Sequence, residues 1–175
     1  ASLVNALVNA AYAEVHAGEA SKAAVFFSEA QKLKDPADVR MTSWLEALDI
    51  ELALLGDPRK AMAVLDKRAK AKDSSSSPEL VFRWAAGRAR ALRKMGDVAE
   101  TRQAFVEAHD ALDAWSRLVP LGEGRESFFE QQRRWARESV DYEVEPAEKL
   151  AEGSPEKPEA IHRAAVEAER NWGRF

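Results

Sequence analysis

Three segments of this chain repeat one pattern, and the repetition constrains the fold more than any other feature. In each segment a glycine follows an amphipathic stretch, with a small residue five positions later and a large apolar residue nine positions later. Two of the segments also have alanine at position twelve, where the second segment has Arg68. The glycines are spaced by 38 and 40 residues, which predicts a repeat architecture. The matching sets are Gly18, Ala23, Phe27 and Ala30, then Gly56, Ala61 and Leu65, then Gly96, Thr101, Phe105 and Ala108.

The residue types in these segments indicate paired α-helices. Alanine, glutamate, leucine and arginine dominate the chain, and such residues lose little side-chain freedom in a helix. Each repeat glycine is expected to end a helix in the left-handed conformation, and Asp57 and Asp97 are placed to cap the next helix. The small residue lets two helices approach closely, and the large one fills the groove between them. The sequence therefore predicts antiparallel helical hairpins.

The small–large–small spacing resembles the second helix of the tetratricopeptide repeat, over about Leu3 to Leu118. The first-helix signature of that family is reduced here to Trp44 and Leu48, and the spacing exceeds the usual value of about 34 residues, so the repeats are degenerate. The resemblance implies an all-α, right-handed superhelix of three hairpins in residues 1–118. Residues 119–175 would add a longer helix pair that continues the solenoid within a single domain.

Eight helices are predicted from the periodicity and from the turn residues. Six of the seven prolines fall at or near the proposed boundaries, where proline is tolerated. Pro146 does not, and we expect it to end or kink the seventh helix near Glu145. The predicted ranges are about 3–17, 19–34, 38–55, 58–71, 79–95, 98–118, 123–151 and 156–172.

The last third of the chain carries a second resemblance. Its pattern is similar to the end of the repeat region in bacterial caspase-like proteins of the CHAT group. The residues that match are Arg125, Ser127, Phe128, Arg133, Arg134, Glu159, Ala160, Ala168 and Glu169, with Asn171 where arginine is expected. The peptidase part of that family needs a His/Cys pair, whereas this chain has no cysteine. The resemblance implies the repeat portion of a larger bacterial protein, and we expect the chain to be excised from a longer one.

Composition and motifs argue against several classes of function. A net charge of −4 gives no field that attracts nucleic acid, and no apolar run approaches the roughly 18 residues needed to span a bilayer. We expect a soluble, cytoplasmic protein. No phosphate-binding glycine loop, nucleophile elbow or dinucleotide fingerprint occurs, so we predict neither enzymatic activity nor a cofactor. His16, His109 and His162 are isolated and are expected at surface or edge positions, which predicts no metal site.

The fifth predicted helix is the main candidate for a binding site because of its basic stripe. The first helix of each tetratricopeptide hairpin lines a concave groove, and Arg83, Arg90, Arg93 and Lys94 would supply positive charge there for an acidic or phosphorylated peptide. The alternative is a solvated face whose arginines pair with acidic residues of the sixth helix, among them Glu100, Glu107 and Asp110. The sequence leaves both interpretations open.

Two functions follow from these observations. The first is a protein–protein interaction module, either a scaffold or a regulatory arm, that binds a peptide or helix. Tyr12, Ile50 and Leu54 would then supply apolar contact in the same groove as the arginines. The second is a self-associating structural domain, a homo-oligomer or a unit that packs on the rest of its parent protein. Its contacts would be aromatic residues of the last two helices, Phe128, Phe129, Trp135 and Trp172.

Overall fold

The computed structural model describes residues 3–71, 77–119 and 123–172, which form eight α-helices and no strand. The all-α prediction is confirmed, and each predicted helix bound lies within about two residues of the observed one. The serine-rich connection at residues 74–76 lies outside the described residues. The helices are α1 (Leu3–His16), α2 (Ala20–Leu33), α3 (Val39–Gly56), α4 (Pro58–Ala71), α5 (Pro78–Met95), α6 (Val98–Ser116), α7 (Glu123–Lys149) and α8 (Lys157–Trp172).

The turn glycines follow the prediction at two of the three repeats. Gly18 and Gly96 both have φ of +79°, the left-handed conformation that glycine adopts without strain. Gly56 is instead the last residue of α3, and the chain turns at Asp57, which is extended with φ −119° and ψ 113°. The prediction was wrong at Gly56 because Pro58 follows Asp57, and a residue before proline is driven into the extended region.

Acidic and hydroxyl side chains cap the helix starts. Asp97 accepts a hydrogen bond from the backbone N–H of Glu100 at 3.1 Å, and Asp57 accepts one from Arg59 at 2.9 Å. The predicted aspartate caps are therefore confirmed. Asp38 and Ser77 play the same part at α3 and α5. Each cap satisfies a backbone donor that has no partner within its own helix.

Pro146 lies inside α7, and the helix continues beyond it to Lys149. Of the two expected effects, a helix end near Glu145 was wrong, and a kink there stays a prediction. Proline removes only one backbone donor, the one that would bond to the carbonyl of Tyr142, and less than one turn of helix follows. The loss is therefore confined to the last turn of α7.

The chain divides into two compact units, residues 1–115 and residues 116–175. In the first unit α1 packs on α2 and α3 on α4, while α2 and α4 also contact the first helix of the next hairpin. The first helices are themselves neighbours, because α1 contacts α3 and α3 contacts α5. Phe82 of α5 stacks on Trp115 of α6 with ring centroids 5.8 Å apart, which closes the third hairpin.

The repeated small–large pattern marks the interior of the first unit. All the small residues of the pattern are fully buried, as expected where two helices approach closely: Ala23, Ala30, Ala61, Thr101 and Ala108. Of the large residues, Leu65 and Phe105 are buried and Phe27 is half-buried.

In the second unit α7 packs on α8. A buried polar contact joins them, in which Asn171 Nδ2 donates to Ser139 Oγ at 3.2 Å and Ser139 Oγ donates to the carbonyl of Ala136 at 3.0 Å. Buried polar groups that are satisfied in this way fix one packing arrangement of the two helices. In the described part of the chain, no helix combines the length and the apolar character that crossing a bilayer requires.

Candidate functional site

Side chains from three successive first helices meet on one surface, which we call the first-helix wall. It is formed by Tyr12 of α1, Glu51 of α3, and Glu79, Arg83 and Arg90 of α5. Burial raises the pKa of Tyr12 above its ordinary value of 10.0, while Arg83 lowers it and Glu51 and Glu79 raise it. Charged side chains of both α3 and α5 therefore influence this one phenol.

The two wall arginines are held by glutamates. Arg90 Nη1 lies 2.5 Å from Glu51 Oε1, and these side chains are 26% and 33% exposed. Arg83 Nη2 lies 2.9 Å from Glu79 Oε1, one helical turn away on α5. The positive stripe predicted for α5 is thus largely neutralised on the wall, once by α3 and once by α5 itself.

Lys94 also has a hydrogen-bond partner within the protein. Its Nζ donates to the backbone carbonyl of Leu54 at 2.5 Å, in the last turn of α3. The last turn of α3 contains no basic residue of its own. A cation near the carbonyl end of a helix offsets the partial negative charge there. Lys94 of α5 therefore provides the positive charge that the last turn of α3 lacks.

Ile50 and Leu54 do not lie on the wall. They are 2% and 4% exposed and belong to a core cluster with Ala61, Leu65 and Ala91. We predicted that these two residues contact a partner, whereas in the structure they pack in the core. Ile50 is turned toward α5, where Gly87 leaves room for it.

The other two predicted contacts keep some exposure. Tyr12 is half-buried, and its hydroxyl donates a long hydrogen bond of 3.4 Å to the carbonyl of Trp44 on α3. Arg93 is half-buried on α5 and is also partnered. Of the seven residues proposed from sequence, the structure brings Tyr12, Arg83 and Arg90 together on the wall.

The alternative interpretation, pairing with acidic residues of the sixth helix, is seen for an α5 arginine outside the predicted stripe. Arg88 Nη2 lies 3.0 Å from Glu100 Oε2, so this arginine does pair with the sixth helix. Arg83 and Arg90 find their partners elsewhere, on α5 and α3. Sequence reasoning missed Glu51 because it lies 39 residues from Arg90.

A pocket lies between α4, α5 and α6, and we call it the α4–α6 pocket. Its volume is about 400 Å³. Apolar residues form much of its lining, and three carboxylates and one guanidinium complete it. The lining residues are Leu65, Asp66, Val81, Trp84, Ala85, Arg88, Glu107, Asp110 and Ala111.

Two of the residues proposed for self-association are buried in the second unit. Phe128 and Trp135 are 7% and 3% exposed, and the ring of Phe129 packs edge-on against Phe128 at 5.2 Å. The side chain of Trp172 lies outside the described residues. Two of the four aromatic residues are therefore buried in the unit that contains them rather than displayed to another copy.

The three histidines differ in their exposure to solvent. His16 and His162 are exposed, as predicted, whereas His109 is fully buried in α6 and its predicted surface position was wrong. It follows the small residue Ala108, on a face that packs into the hairpin. Within the described ranges, no three histidine, cysteine, aspartate or glutamate side chains come together as a metal ion would require.

Comparisons with protein families, with curated proteins and with solved structures find no match to this chain. Function is therefore inferred from the residues of the wall and of the pocket.

Proposed function

We propose that this chain is a protein–protein interaction domain, a scaffold or regulatory arm of a larger protein, whose first-helix wall binds a peptide or helix of a partner. The observation that supports this best is the convergence of Tyr12, Glu51 and Arg83 from three different helices. Since α1 contacts α3 and α3 contacts α5, these side chains come from adjacent helices.

The proposal includes a tetratricopeptide-like arrangement of the hairpins. In such an arrangement each first helix contacts its own second helix, the second helix of the hairpin before it and the neighbouring first helices. The contacts of α3 with α1, α2, α4 and α5 are of this kind. We infer that the hairpins continue as a right-handed superhelix and that the first-helix wall is its concave side.

The wall favours a ligand that carries both an apolar group and a carboxylate. Tyr12 offers an amphipathic aromatic ring, a residue type enriched at binding hot spots. The Arg83–Glu79 pair has both side chains 35% exposed, so an acidic residue of the partner can take the place of Glu79 on the guanidinium. Because Arg83 and Arg90 are already paired, the wall has no unbroken positive field for nucleic acid.

Peptide selection tests the proposal. The immobilised protein selects ligands from a randomised peptide library, and each selected peptide is titrated against Tyr12→Ala, Arg83→Gln and the matched control Lys32→Met. Lys32 is an exposed residue of α2 paired with Glu29. The wall variants should weaken binding about tenfold or more, and the control should not. Selected peptides that bind all of these variants equally would place the binding surface elsewhere.

A further inference from the structure

The α4–α6 pocket lies on the opposite side of α5 from the first-helix wall. Val81 and Arg88 line the pocket, whereas Arg83 and Arg90 belong to the wall. Each residue advances an α-helix by about 100°, so Arg90 projects roughly 180° away from Val81, nine positions earlier. A ligand in the pocket is therefore separate from a ligand on the wall.

The lining of the pocket combines apolar residues with acidic ones. Leu65, Val81, Ala85, Ala111 and the Trp84 ring supply the apolar surface, and Asp66 on α4 faces Glu107 and Asp110 on α6 across it. Among the described residues of the lining, Arg88 is the one cation, and it is already paired with Glu100 outside the pocket. The pocket therefore presents an apolar surface inside a negative field, which suits a cation carried on an apolar stem.

We propose that the α4–α6 pocket binds the side chain of one arginine or lysine residue of a partner protein. Its methylene stem lies on the apolar lining beside the Trp84 ring, and its charged end reaches Asp66, Glu107 or Asp110. This site goes beyond the function proposed for the wall and does not depend on it.

The experiment follows the indole N–H resonance of Trp84 in ¹H–¹⁵N spectra of the full chain, assigned with the variant Trp84→Phe. The probe is acetyl-Gly-Arg-Gly-amide, and the control probe replaces arginine with citrulline, which has nearly the same shape but no charge. We expect a saturable shift with the arginine probe and about tenfold weaker binding of the citrulline probe. No saturable shift, or equal affinity for the two probes, would overturn the proposal.

Two variants separate the pocket from the wall. Glu107→Gln combined with Asp110→Asn should weaken the arginine probe about tenfold, with the indole resonances of the other tryptophans unmoved as evidence that the fold is intact. Glu79→Gln on the wall should leave the affinity unchanged. If Glu79→Gln weakens the probe and the double variant does not, the cation binds on the wall and the pocket proposal fails.

Discussion

Gly87 of α5 lies so close to Ile50 of α3 that a Cβ atom on Gly87 would be 2.6 Å from Ile50 Cγ2. No real Cβ atom tolerates such a distance without a shift of its neighbour. Cγ2 is attached at the branched carbon of Ile50, so it cannot move without the rest of that side chain. The contact explains why α3 and α5, the first helices of successive hairpins, can pack side by side.

Gly87→Ala should therefore destabilise the protein. An exposed helical glycine normally gains stability on replacement by alanine, but here the added methyl group overpacks the core cluster around Ile50. We expect the free energy of unfolding to fall by about 1–3 kcal/mol, as measured by urea denaturation.

Gly56→Ala is the matched control. Gly56 is also helical, its φ is not positive, and a Cβ there would meet nothing within 4 Å. This replacement should raise the free energy of unfolding by about 0.4–1 kcal/mol. Equal effects of the two replacements would show that α3 and α5 are not in close contact.

Lys94 should contribute to stability through α3. Lys94→Met removes the hydrogen bond to the Leu54 carbonyl and the cation at the end of α3, and we expect a loss of about 0.5–1.5 kcal/mol in thermal or urea unfolding. Lys32→Met, which breaks the exposed pair with Glu29, should cost less than about 0.5 kcal/mol. A purely ligand-binding role for Lys94 would leave its variant as stable as the control.

The Arg90–Glu51 pair should couple α5 to α3. A double-mutant cycle with Arg90→Met and Glu51→Gln should give a coupling energy of about 1 kcal/mol, since both side chains are still partly exposed to solvent. The same cycle on the more exposed Lys32–Glu29 pair should give less than about 0.5 kcal/mol. Coupling at Arg90–Glu51 no larger than this would mean that the pair does not hold the two helices together.

Tyr12 should titrate abnormally. Burial raises its pKa in the folded state, so its contribution to stability is complete below the unfolded pKa of about 10 and is lost as pH rises through the folded pKa. Ultraviolet titration of the phenolates should show a component that ionises late, and Tyr12→Phe should remove that component.

The titration of Tyr12 also tests whether charged residues of α3 and α5 lie near it on the wall. Arg83→Gln should raise the Tyr12 pKa further, because the nearby positive charge is lost, and Glu51→Gln should lower it. If neither substitution moves the titration of Tyr12, then α1, α3 and α5 do not share the surface described above.

Much of the architecture could be predicted because it depends on local rules. The buried alanines of the repeat, the left-handed Gly18 and the cap at Asp97 each follow from a few neighbouring residues. Gly56 departs from the pattern because Pro58 follows two positions later. The effect of this proline is equally local, and it outweighed the repeat pattern.

The site could be predicted only in part, since helical periodicity gives the face of a residue but not what lies opposite. Ile50 and Tyr12 occupy equivalent positions in successive hairpins, yet Ile50 packs under Gly87 while Tyr12 remains half-buried on the wall. The partner of Arg90 is 39 residues away, and no short-range pattern identifies it. The α4–α6 pocket required three helices to be placed together.

The binding role of the first-helix wall is tested most directly by photo-crosslinking a library-selected peptide. Benzoylphenylalanine is placed at Tyr12 on the wall or, in a separate protein, at Val25, which is 62% exposed on α2. If the wall binds the peptide, the crosslink forms from position 12 and excess unlabelled peptide abolishes it, while position 25 gives none. A crosslink from position 25 alone would contradict the account.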